Sequence, residues 1–181
     1  HLREEERAAV QMLAWLGEVF ARETAQALLG PNARLLNQLL FKGILTTTSN
    51  APRPLPGSES THPLLAFTHT LLHRQLADTA QPDIPRLIEL LADDLPLYSI
   101  LPWRILANYQ FPTLRLEPQQ LERAIARGFA TARSIEQGAD WRNSNIPFRA
   151  VAAIAAARAT EWPEEEWLHL ISELYYYRLM L

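Results

Sequence analysis

His69 and His73 stand four residues apart in the stretch LLAFTHTLLHRQLADT, residues 64 to 79, where an apolar run passes into an amphipathic one. On a helix that spacing brings two imidazoles to one face, the arrangement by which a histidine pair ligates zinc. A zinc hydrolase of the His-Glu-x-x-His kind also needs a glutamate directly after the first histidine, and Thr70 occupies that position. The simpler reading puts His73 on an exposed face next to Arg74 and His62 in a solvated, proline-rich loop. Two carboxylate clusters, Asp93-Asp94 and Glu164 to Glu166, fall at the ends of predicted helices. Terminal dipoles explain the glutamates; the aspartates have no evident partner in the sequence.

Nucleophile chemistry finds no better support. No Gly-x-Ser-x-Gly elbow surrounds Ser99, Ser134 or Ser172. The chain has no cysteine, which excludes thiolate catalysis, thiolate metal sites and disulfides. A phosphate-binding P-loop requires Gly-x-x-x-x-Gly-Lys-Ser/Thr, and the single lysine, Lys42, sits in LLFKGIL. We therefore expect no enzyme activity, no metal site and no cofactor held by this chain alone.

Composition sets the frame for these residues. The 181 residues are 48% apolar and 20% charged, values of a soluble globular protein with one domain or two small ones. A net charge of -3 argues against general nucleic-acid binding, which needs a cationic surplus, while leaving room for a local basic patch. No apolar run reaches the roughly 18 to 20 residues of a membrane span, and the start HLREEER is the opposite of a secretory leader. The expectation is a cytoplasmic protein with no membrane partner. A start at His1 points to a fragment or a processed tag.

Hydrophobic spacing then gives the elements. REEERAAVQMLAWLGEVF carries Ala9, Met12, Leu13 and Leu16 at helical spacing and stops at Gly17. ARETAQALLG is a second, short helix that stops at Gly30-Pro31. NARLLNQLLFKGIL predicts a third, with Asn32 as its N-cap and Gly43 at its end. ILTTTS and LLAFT read as two strands of a β-hairpin, separated by a proline-rich loop. Residues 81–116 form a packed connector of short helices punctuated by Pro96, Pro102 and Pro112. PQQLERAIARGFATARSIEQG, PFRAVAAIAAARAT and PEEEWLHLISELYYYRLML give three further helices, so residues 117–181 make a bundle or repeat-like hairpin. The fold class is thus mainly α: a winged helix (three helices plus a short β-hairpin) over residues 1–80, then an α-helical hairpin or array over 81–181.

LREEERAAVQMLAWLGEVFARETAQALLG, NARLLNQLLFKGILT and LLAFTHTLLHRQLA together resemble the winged-helix arm of the STAND class of signal-transduction P-loop ATPases. The resemblance covers roughly residues 2 to 77. In that family the arm follows the nucleotide-binding core and precedes helical sensor repeats. Its NB-ARC branch carries a Met-His-Asp phrase whose histidine reaches the phosphates of bound ADP. That position here is His69, flanked by Thr68 and Thr70, and Phe67-x-His69 fits the looser form of bacterial members. The resemblance implies a regulatory, protein-interaction module that couples nucleotide state to partner binding, with ADP or ATP bound through an upstream ATPase domain.

Two other functions remain open from the residues. Arg34, Asn37, Gln38 and Lys42 on the third helix, with Arg53 in the following loop, form a set competent to read DNA, as in a winged-helix regulator with a helical dimerisation domain. Aromatic and arginine residues in LPWRIL and YYYRLML make Trp103, Arg104, Tyr176, Tyr177 and Arg178 candidates for a protein interface, which would also suit a helical scaffold with no nucleotide link.

Overall fold

A computed structural model describes residues 2–49, 55, 63–79, 81–93, 95–109, 118–138, 141–158, 165, 169 and 172. The protein is mainly helical, with one small antiparallel sheet. Helix α1 spans Glu4–Ala14 and buries Ala9, Val10, Leu13 and Ala14. Gly17, at φ 104, then turns the chain against the side chain of Ser99, in space that no Cβ could share.

Strand β1 (Val19–Ala21) follows at once and leads into α2 (Arg22–Leu29). A strand this short carries no period-2 signal, so β1 adds to the two strands that the sequence predicts. A 3-10 turn over Gly30–Arg34 leads into α3 (Leu35–Phe41), so Asn32 lies inside the turn and does not cap the helix. α3 ends in a Schellman motif: Ile44 N–H donates to the Leu39 carbonyl and Gly43 N–H to that of Leu40, with Gly43 at φ 68.

β2 (Leu45–Thr48) and β3 (Leu64–Phe67) pair antiparallel as expected, Leu45 opposite Phe67 and Thr48 opposite Leu64. β1 adds to the other edge of β3, Val19 opposite Ala66, so the sheet has three strands in the order β1-β3-β2. β3 feeds α4 (Thr70–Thr79), which packs on α1.

α5 (Ile84–Ala92) is buried along most of its length, lying against α2 on one side and against α7 (Pro118–Gln137) on the other. Its N-cap is Asp83, whose carboxylate accepts from the Arg86 N–H at 3.1 Å. α6 (Leu101–Asn108) begins with Pro102 in its first turn and packs on α8 (Trp141–Arg158), which also lies along α7. α8 starts earlier than PFRAVAAIAAARAT predicted and holds Pro147 inside. Packing against two helices outweighs the one hydrogen bond that proline removes. Of the last predicted helix, Glu165, His169 and Ser172 are helical and exposed, and the rest lies outside the described residues.

Buried residues from Ala9 to Ala155 form one continuous cluster across the expected boundary at residue 80. Thr24 Oγ1 donates to the Pro96 carbonyl at 2.7 Å, and Arg86 Nε donates to the Leu28 carbonyl at 3.2 Å. Among the described residues no helix is long and apolar enough to cross a membrane.

Candidate functional site

The sequence pointed first to the junction of β3 and α4, and the structure makes that junction a fixed, solvent-facing corner. Phe67 N–H donates to the Glu18 carbonyl (3.1 Å) and Thr68 N–H to that of Ile44 (3.0 Å), so the chain is held where it leaves the sheet. Phe67 is buried, its ring edge-on to Phe20 at 5.8 Å. Thr68 and His69 are exposed. The His69 carbonyl accepts the His73 N–H at 3.2 Å, which opens the first turn of α4 and puts His69 directly before the helix N-terminus. Thr70 Oγ1 donates to Glu18 Oε1 beside it, and Leu71 is 79% exposed. The Phe-x-His phrase is thus a division of labour: Phe67 anchors inward, and His69 is left free to meet solvent or a partner.

His73 does not join it. Expected on an exposed face, it is 9% exposed, its Nε2 3.1 Å from the Ala14 carbonyl and its ring 5.3 Å from that of Phe67. The reason is that α4 packs on α1, and the carbonyls at the end of α1 need donors that a histidine can supply. His73, with its Nε2 on Ala14 and its ring against Phe67, is buried while His69 is exposed, so the two histidines sit in different surroundings. Among the described residues no three His, Asp or Glu side chains are grouped to hold a metal. His62 and Asp94 lie outside the described residues, and Asp93 is the C-cap of α5.

The exposed face of α3 presents Arg34, Asn37, Gln38 and Lys42, as the spacing predicted. Two of the four are already engaged. Lys42 Nζ lies 2.7 Å from Glu6 Oε2, and Arg22 Nη2 donates to Asn37 Oδ1 at 2.6 Å. Arg53 lies outside the described residues.

Glu6, in the first turn of α1, is only 1% exposed. The signal was there: Glu6 precedes Ala9, Val10 and Leu13 at the spacing of the buried stripe. Its hydrogen bond from Lys42, and then one from the Arg3 N–H (2.7 Å), hold its carboxyl below the ordinary range against the opposing effect of burial. Phe41, which follows Leu39 and Leu40 in the sequence, is 92% exposed at the end of α3.

Of the proposed interface residues, Arg104 is exposed and Trp103 is not. Trp103 is fully buried because α7 offers Gly128 opposite it, where a Cβ would come within 3.1 Å of the indole Cζ3. Trp103 belongs to the core between α6, α7 and α8 and so does not face a partner, contrary to the expectation from LPWRIL. Tyr176, Tyr177 and Arg178 lie outside the described residues. No protein-family model, no curated protein and no solved structure matches the chain.

Proposed function

We propose that this chain is a non-catalytic regulatory module, the winged-helix arm of a STAND-type ATPase with the start of its helical sensor region. Its role is to couple the nucleotide state of an adjoining P-loop domain to partner binding. The observation that carries the reading is the order α1-β1-α2-α3-β2-β3 with β3 central in the sheet, ending in an exposed His69 at the start of α4. That order is compatible with a winged helix, and the short strand β1 supports the reading.

His69 supplies the nucleotide contact. A histidine just ahead of a helix N-terminus donates to a phosphate in a field that already favours anions. The exposed Leu71 next to it suits an edge that another domain covers. ADP or ATP is bound by the upstream domain, and His69 reports the phosphate to the arm. DNA binding through α3 is the second reading, and the engagement of Lys42 and Asn37 leaves it fewer free groups.

The first test is the intact mass of the protein from its native source against the 20.6 kDa of this chain. In a longer polypeptide with a P-loop domain, His69→Ala should weaken ADP binding about tenfold, the loss of one charge-assisted phosphate contact. Unchanged ADP affinity, or a native protein with no such domain, overturns the reading.

A further inference from the structure

A second surface lies on α1 and α3, away from the residues assigned to the nucleotide. Phe41 borders a groove of about 440 Å³ lined by Arg3, Glu6, Asn37, Gln38 and Lys42, with mostly apolar walls. An exposed phenylalanine alone signifies little, because single apolar side chains are common on protein surfaces. Here it stands next to a concave wall, and one lining residue, Glu6, is almost wholly buried with Oε1 lacking a hydrogen-bond partner among the described residues.

The charge around the groove is one-sided. Glu6 is matched by Lys42, leaving Arg3 exposed at the rim, Arg34 exposed one turn before Gln38, and Arg22 held beside Asn37. Glu4 and Glu5 line a separate groove with Ala8 and Leu29. A chain of net charge -3 therefore gathers cations around an apolar groove and an exposed aromatic ring. We infer that the α1–α3 groove is a docking site for an acidic, amphipathic peptide segment of a partner protein.

An apolar side chain of that segment fills the groove against Phe41, and its carboxylates pair with Arg3 and Arg34. Nucleic acid suits the face less well. Its phosphates gain nothing from apolar walls, and the lysine is already tied to a carboxylate. The inference does not depend on an attached ATPase domain.

The test is fluorescence anisotropy with this chain and three labelled probes: a peptide alternating Glu and Leu, the same peptide with Lys for Glu, and a single-stranded oligonucleotide. The Glu-Leu peptide should bind in a salt-sensitive manner and the Lys-Leu peptide should not. Phe41→Ser and Arg3→Ala should each weaken binding about tenfold. Both positions are exposed, so circular dichroism should show both variants folded. Equal binding of the two peptides, or an affinity untouched by Phe41→Ser, overturns the proposal. Tighter binding of the oligonucleotide, lost in Arg34→Ala, also overturns it and assigns the face to nucleic acid.

Discussion

Glu6 is the residue at which pH should be felt. Its folded pKa lies below the ordinary value, so between the two values the unfolded chain binds more protons and stability rises with pH. The contribution is fully present above the usual glutamate pKa of about 4.3 and is lost as pH falls through the lower folded value. Glu6→Gln should therefore lower the urea midpoint at neutral pH and flatten its decline in acid. A variant whose midpoint falls with acid as steeply as the parent would show that other carboxylates set the slope. His69, by contrast, is exposed, and its backbone carbonyl, not its side chain, accepts the hydrogen bond from His73 N–H. That separation lets His69→Ala be read as a change in binding and not in stability.

At the scale of elements, Gly128 sets two principles against each other. It lies inside α7, where alanine is favoured over glycine by about 1 kcal/mol. An added Cβ would meet the Val151 Cγ2 and the Trp103 ring, and overpacking of that kind costs about 1–3 kcal/mol. Gly128→Ala should thus destabilise the protein, and a raised melting temperature would show that α8 gives way instead. The same contact explains what the sequence left unread. Helical stripes such as Leu35, Leu36 and Leu39 were legible because their period is local. The burial of Trp103 depends on a glycine in another helix, that of His73 on a carbonyl in α1, and β1 on a strand far along the chain. None of these leaves a mark within a short window. The place of His69 between strand and helix was legible because that signal is local, while its exposure comes from the structure.

Across the whole molecule, two arginines join successive layers. Arg86 of α5 donates to the Ala27 and Leu28 carbonyls at the end of α2. Arg127 of α7 in turn donates to the Leu91, Asp93 and Leu95 carbonyls around the end of α5. Each guanidinium satisfies helix-end acceptors that their own helix leaves open. Arg86→Leu should cost about 1.5–3 kcal/mol, the range for hydrogen bonds from a charged donor. Because one core runs through both halves, the loss should appear as a single transition, coincident in far- and near-ultraviolet circular dichroism. Two separated transitions would show that the halves unfold independently. The order β1-β3-β2 also bears on how the chain is made. The outer strands never touch each other, so every ladder bond in the sheet requires residues 64–67. On the ribosome, where synthesis proceeds from the N-terminus, β1 and β2 emerge as strands with nothing to pair with, and closure of this half waits for the last of the three.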